Sequence, residues 1–321
     1  MLQVKNVVFS YQDKPTLKSI NFELKKGEHT SIIGESGCGK STLLKAIYGL
    51  LDLDDGEILW EEEKVLGPAF NLIPGHDKMK HLAQEFDLMP FTSVKENIEK
   101  FLSRQRQHEN DQRTNELLAV IDLEDFADKK VKLLSGGQKQ RVALAQVLAK
   151  EPELLLLDEP FNFIDNFRKN KLRRNLFTYL KKQNISCVFA THDSTDMLGF
   201  SDKTLVMKNG EIVAENTPEK LYDFPPSYYV ASLFNEVNSL KAELFGIEKG
   251  TVLIYPSEIN VAEKSLKAIV KKSYFNGNNY FIEAILETTE ERILFTHEEF
   301  IPAESIVFLN VSEELIQKRR I

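Results

Sequence analysis

Nine consecutive residues, Gly34-Glu35-Ser36-Gly37-Cys38-Gly39-Lys40-Ser41-Thr42, have the composition of a phosphate cradle. Three glycines let the backbone turn so that successive amides point inward at phosphate oxygens. Lys40 adds a mobile positive charge against the outer phosphates, and Ser41 can place its hydroxyl on Mg²⁺. The pattern has meaning between a strand and a helix. Ile32 and Ile33 precede it, and Leu43, Leu44, Ile47 and Leu51 follow at helical spacing, so the helix N-terminus faces the phosphates. A glycine-rich turn that merely caps a helix is the plainer reading, and the full pattern with both flanks argues against it.

A second constellation, Leu154-Leu155-Leu156-Leu157-Asp158-Glu159-Pro160, ends a buried strand with two adjacent carboxylates. One can hold the water shell of a metal while its neighbour polarises a nucleophilic water in line with the terminal phosphate. Asp158 takes the metal role and Glu159 the base role. A third, Leu134-Ser135-Gly136-Gly137-Gln138, opens another helix whose apolar positions Val142, Leu144, Ala145 and Leu148 keep helical spacing. Its hydroxyl and two glycines also suit a phosphate, yet the chain already has one cradle. Two half-sites in one chain suggest a nucleotide completed by another subunit.

These residues need an α/β scaffold. Residues 2–9, 17–24 and 28–33 read as short strands, 93–150 as mostly helix, and 154–158 and 186–191 as buried strands. A further run, 203–207, leads into Asn209-Gly210, a hairpin signal. With 321 residues the chain can hold two domains, and the pattern changes after Pro218. Residues 221–238, with Pro225-Pro226 and several aromatics, read as a connector. Beyond them 251–255, 266–273, 280–286, 292–295 and 305–311 are closely spaced β segments, with Asn276-Gly277 as a turn. The expected division is an ATPase-type α/β domain over 1–238 and a small β barrel or sandwich over 239–321.

Bulk composition excludes several classes. The chain is 42% hydrophobic and 28% charged with a formal net charge of -8, which argues against a general nucleic-acid binder. Cys38 and Cys187 are its two cysteines, and one lies in the phosphate loop, which suits a reducing cytoplasm better than a disulfide framework. Met1-Leu2-Gln3-Val4-Lys5 lacks the blocks of a signal peptide, and no apolar stretch approaches the roughly 18 residues of a membrane span. A role at a membrane therefore requires another chain to cross it.

The 134–138 run, followed by Lys139-Gln140-Arg141, resembles the signature of ABC-type ATPases. The resemblance covers about the first 240 residues and implies a P-loop NTPase cassette, a mixed sheet with a helical subdomain at about 85–150. It implies that Gln84, in Ala83-Gln84-Glu85, senses metal and partner, and that His192, in Ala190-Thr191-His192-Asp193, contacts the terminal phosphate. Tyr11, in Phe9-Ser10-Tyr11, would stack on adenine, and Asp165 would lie in the loop that communicates between sites. ATP and Mg²⁺ are the implied ligands. Ser41, Gln84 and Asp158 would serve the metal, and Lys40, Glu159 and His192 the reaction. The implied assembly is a head-to-tail dimer in which Lys40 of one copy faces Ser135 and Gly137 of the other across ATP.

Thr217-Pro218-Glu219-Lys220-Leu221-Tyr222, Tyr255-Pro256-Ser257-Glu258-Ile259 and the β-rich tail resemble the polyamine, iron, sulfate and sugar importer ATPases. Those carry an appended oligonucleotide-fold-like, TOBE-type domain. The implied function is the ATP-hydrolysing energy-coupling subunit of a membrane ABC transporter, a solute importer. Its partners would be a second copy, membrane-spanning permeases and, indirectly, a solute-binding protein, with no nucleic acid. Its place would be the cytoplasmic face of the inner membrane, held through the permeases. An exporter ATPase is one alternative; a soluble ABC ATPase acting on nucleic acid or ribosomes is another, which the acidic balance does not favour. Asn162-Phe163-Ile164 departs from the usual Ser, any residue and Leu before Asp165, so signalling between sites is expected to differ. The tail is short for the sugar-type regulatory domain. Thiol modification at Cys38 is expected to block nucleotide binding.

Overall fold

Two units divide the chain at Pro218, Met1–Pro218 and Glu219–Ile321. The computed structural model describes residues 1–71, 73–83, 86–100, 102 and 107–321. The first unit begins with β1 (Leu2–Tyr11), β2 (Lys14–Leu24), β3 (His29–Ile33), α1 (Lys40–Tyr48), β4 (Asp55–Trp60), β5 (Glu63–Lys64) and β6 (Met79–Leu82). It continues with α2 (Val94–Glu99), α3 (Gln107–Ile121), α4 (Gly136–Ala149), β7 (Leu154–Asp158), α5 (Asn166–Lys182) and β8 (Ser186–Thr191). α6 (Ser194–Phe200), β9 (Lys203–Lys208) and β10 (Glu211–Asn216) close it.

A six-stranded sheet of order β10-β9-β3-β8-β7-β6 forms the centre. All its neighbours are parallel except β10, which returns antiparallel beside β9 through the Asn209-Gly210 turn. A separate antiparallel sheet runs β2-β1-β4-β5. Every residue of β3, β7 and β8 is buried, as expected for parallel strands covered on both faces. Alternate side chains go to different cores. Leu155, Leu157, Cys187 and Phe189 pack with apolar residues of α3, α4 and α5. Leu154, Leu156, Val188 and Ala190 pack with α1 and the β1–β2 sheet. The α/β cassette with its helical portion is thus the expected fold, and the sheet is clamped between two cores.

The second unit contains α7 (Pro218–Asp223) from its second residue on, α8 (Tyr228–Ser232), β11 (Asn238–Lys241), β12 (Thr251–Ile254), β13 (Asn260–Ala262) and β14 (Leu266–Phe275). β15 (Tyr280–Leu286), β16 (Arg292–His297), β17 (Ile306–Asn310) and α9 (Glu313–Lys318) follow. Its strands form a five-stranded antiparallel sheet, β13-β17-β14-β15-β16, and a two-stranded ribbon, β11-β12. Inward residues of β14 and β15, such as Ala268, Val270, Ile282 and Ala284, share one core with Ile316 of α9. This is the expected small all-β domain, built as a sheet and a ribbon rather than as one continuous barrel ladder.

The division falls at 218 and not at the expected 238. Residues read from sequence as a connector form α7 and α8 and pack into the second unit. Tyr222 stacks on Tyr255 with ring centroids 4.6 Å apart. Arg319, only 1% exposed, lies over both rings, pairs with Glu258 and donates to the Tyr222 carbonyl. The Tyr255 hydroxyl donates to the Ala231 carbonyl at 3.2 Å. Partners distant in sequence make these contacts, so local turn signals alone read as a linker.

Candidate nucleotide site

Strand register brings three chemical segments to one end of the central sheet. Ile33 pairs with Thr191, and Asp158 pairs with Ala190, so the residues that follow β3, β7 and β8 emerge side by side. Those residues are the phosphate loop, Glu159 and His192. Ligands bind at this edge of open α/β sheets because the strand ends point functional groups out of a fully covered core.

Within the loop, Glu35, Ser36 and Gly37 are exposed, whereas Cys38, Gly39, Lys40 and Thr42 are buried and Ser41 is half-buried. Gly39 caps α1 with φ 111°, a conformation L side chains rarely adopt, and a Cβ there would come within 3.0 Å of the Thr16 carbonyl. Lys40 Nζ donates to the carbonyls of Gly34 at 2.7 Å and Glu35 at 3.0 Å, curling the loop around its own ammonium. Cys38 Sγ lies 3.9 Å from that ammonium. Gly210 N donates to the Cys38 carbonyl at 3.0 Å, which ties the loop to the β9–β10 turn.

Ser41 Oγ donates to Asp158 Oδ1 at 3.0 Å, joining the start of α1 to the end of β7. Burial pushes the Asp158 carboxyl above its ordinary range; the Ser41 hydrogen bond opposes this and the Glu159 charge adds to it. A serine hydroxyl beside a buried carboxylate is a hard oxygen pair of the kind Mg²⁺ takes, and a cation there would offset the cost of burying that charge. Gln84, the third expected metal-side residue, lies outside the described residues.

Glu159 occupies a left-handed backbone conformation, φ 49°, held by its own N–H donating to the Ala190 carbonyl at 3.0 Å. His192 Nδ1 lies 3.5 Å from Glu159 Oε1. Asp193, next along, accepts from Lys169 at 2.9 Å and from Arg173, and Arg173 also pairs with Asp196. Burial would raise the Asp193 carboxyl, but these two cations outweigh it and hold it well below the usual carboxylate range. The segment after His192 is therefore braced against α5. Asp165 caps α5, its carboxylate accepting from Arg168 N at 3.0 Å. The loop ending at Asp165 and the segment after His192 thus share one helix.

Tyr11 stands 46% exposed at the end of β1, edge-on to Phe9 at 4.8 Å. It belongs to the β1–β2 pair whose Thr16 carbonyl lies under Gly39. In the 134–138 run Leu134 is buried and Ser135 and Gly136 are exposed. Ser135 and Gln138 form a reciprocal capping box at the start of α4. Gly137 is required by space, because a Cβ would sit 2.5 Å from the Phe163 carbonyl. Gln140 connects this helix to the turn after β7: Nε2 donates to the Glu159 carbonyl at 3.2 Å, and Oε1 accepts from Phe163 N at 3.2 Å. Gln140, Asn162, Lys169 and Arg173 had no assigned role in the sequence. Gln140 and Asn162 stood in motifs; the partners of Gln140, Lys169 and Arg173 lie far along the chain, whereas Asn162 contacts Glu159 within one turn.

A strand-loop-helix cradle aligned with paired carboxylates defines a nucleotide-hydrolysing cassette. Residues 17–162 match the ABC transporter family model. The spermidine/putrescine import ATP-binding protein PotA of Thermotoga maritima is 38% identical over 249 residues, 77% of this chain and 67% of that protein. The Fe(3+) ions import ATP-binding protein FbpC 2 of Haemophilus influenzae is 34% identical, covering 83% of this chain and 75% of its own length. A dimeric ATP-binding cassette, MJ0796, solved in a post-hydrolysis state bound to ADP and Pi, is 31% identical with a TM-score of 0.60 over 68% of this chain and 99% of that one. The chain belongs to the ATP-binding subunits of ABC transporters, ATP-hydrolysing subunits that couple energy to transport.

Proposed function

We propose that this chain energises a solute importer, and that two copies close head to tail on ATP and Mg²⁺. The observation that carries the reading is the convergence of Lys40, Ser41, Asp158, Glu159 and His192 at aligned ends of β3, β7 and β8. Lys40 would leave its loop carbonyls and donate to the terminal phosphates, and Tyr11 would stack on adenine. Ser41 and Asp158, with Gln84, would hold Mg²⁺, which supplies charge neutralisation on the phosphates when bound. Glu159 would align the attacking water, and His192 would hold the geometry around the terminal phosphate.

Ser135, Gly136 and Gly137 would complete the ATP of the other copy from the start of α4, where Ser135 and Gly136 are exposed. Asp165 would link the two sites through α5. ATP would bridge the surfaces, and hydrolysis would remove the bridge and reset the pair. Among the described residues no helix is long and apolar enough to cross a membrane, so permease subunits would provide the path and hold this chain at the cytoplasmic face. The second unit would be the TOBE-type accessory domain. Relatives named for polyamine and for Fe(3+) import are similarly close, which supports leaving cargo choice to the companion proteins.

Co-production with permeases encoded beside this chain tests the reading. A stable complex whose ATP turnover is stimulated by a loaded solute receptor is the expected outcome. A chain that turns over ATP but joins no membrane subunit would remove the importer assignment. A binding screen on the companion receptor would then identify the cargo.

A further inference from the structure

The segment that departs from the family pattern touches the base itself. Glu159, Pro160, Phe161 and Asn162 form a turn closed by Asn162 N donating to the Glu159 carbonyl at 3.3 Å. Its backbone is pinned from two sides, by the Ala190 carbonyl of β8 and by Gln140 of α4. On this fixed turn the exposed Asn162 side chain folds back, and Nδ2 donates to Glu159 Oε2. His192 Nδ1 stands at the other carboxylate oxygen, 3.5 Å from Oε1. Each carboxylate oxygen keeps a second lone pair, so these contacts do not block water; they fix the direction in which the Glu159 carboxylate faces. A base that must align water has to face it.

Asn162 is the removable one of the two contacts. It lies three residues before Asp165, and its backbone is held by the hydrogen bonds of Asn162 N to the Glu159 carbonyl and of Phe163 N to Gln140 Oε1; displacement of the 162–165 loop that breaks these two would carry the amide away. A serine here would be too short to hold the carboxylate in the same way, since its hydroxyl stands one bond nearer the backbone than the asparagine amide.

We propose that Asn162 is a positioning residue that restrains Glu159 in a resting orientation, so that hydrolysis waits on movement of the 162–165 loop. The inference rests on Glu159 being the base. It predicts a gain of function from losing a side chain, which a merely structural role would not produce.

The test is steady-state MgATP turnover by the full-length chain without membrane subunits, comparing Asn162→Ser, Asn162→Ala and Asn162→Gln with the parent. Asn162→Ser and Asn162→Ala should raise kcat about fivefold, the size of one net hydrogen bond, with KM for ATP unchanged. Asn162→Gln, which keeps the amide, should return kcat toward the parent value. The double variant Glu159→Gln/Asn162→Ser should be as slow as Glu159→Gln. Unchanged or lowered kcat in both Asn162→Ser and Asn162→Ala, beside an inactive Glu159→Gln, overturns the restraint alone. Parent-like turnover in Glu159→Gln overturns the base assignment and the restraint with it.

Discussion

Burial runs through every residue of β3, β7 and β8, whereas β14 and β15 turn alternate residues inward and outward. A strand covered on both faces has little room for chemistry along its length, so functional groups gather where it ends. Lys40, Asp158, Glu159 and His192 all stand at or just beyond such ends. The antiparallel sheet of the second unit instead spreads ion pairs such as Lys267–Glu287 and Arg292–Glu283 along its outer positions. It is fastened by one buried cation, Arg319. One unit concentrates its polar groups at an edge; the other disperses them.

Four substitutions or conditions should separate the units. Lys40→Ala should abolish ATP turnover while leaving the second unit folded, seen as lost hydrolysis with near-parental β-type circular dichroism. Turnover near the parent value would end the phosphate role of Lys40. Glu159→Gln should lower turnover by roughly two or more orders of magnitude and trap an ATP-bound dimer, measurable by size-exclusion chromatography with ATP present. A monomer with unimpaired hydrolysis would contradict both parts.

Arg319→Ala strikes the other unit. It leaves Glu258 without its cation and opens space beside Tyr222 and Tyr255, for an expected loss of about 3–5 kcal/mol from the stability of that unit. Urea unfolding should show an earlier transition for the β-rich unit, while the fluorescence of Trp60, the single tryptophan and part of the first unit, should change little. Coincident shifts of both signals would show that the latch stabilises more than its own unit.

Acid should act in the opposite sense. Burial first, with Lys181 adding to it, lowers His29 from 6.5 to about 4, and burial, with Lys45 adding to it, lowers His81 to about 4. Both lie in the first unit. Because the unfolded histidines bind protons more tightly, their stabilising contribution is complete above about pH 6.5 and is lost as pH falls toward 4. For His29 the loss is roughly 3 kcal/mol. Trp60 fluorescence should report this as unfolding of the first unit over that window. A pH-independent midpoint between 6.5 and 4 would remove the histidines as the cause.

Much of the site is legible in sequence because its elements are contiguous. A loop of nine residues between an apolar pair and an amphipathic helix, a leucine run ending in Asp158-Glu159, and a Ser-Gly-Gly run opening another helix each declare their geometry locally. The boundary at 238 failed for the opposite reason. Tyr222, Tyr255 and Arg319 meet only after folding, so Pro225-Pro226 between them reads as a linker although its neighbours are packed. Asn162 was visible as a departure from pattern, but its contact with Glu159 was not. A reversed turn, φ 49° at Glu159, is needed to bring the amide onto the carboxylate.

Residue type and spacing alone determined the ligand class, the pair of carboxylates at the end of β7, and the α/β character of the cassette. These follow from local chemistry: amide-lined turns bind phosphate, and unbroken apolar runs bury in parallel sheets. Tertiary structure alone decided which strand ends stand side by side and where one unit gives way to the next. Each depends on partners many residues away, whose meeting is set by register and packing rather than by any single segment.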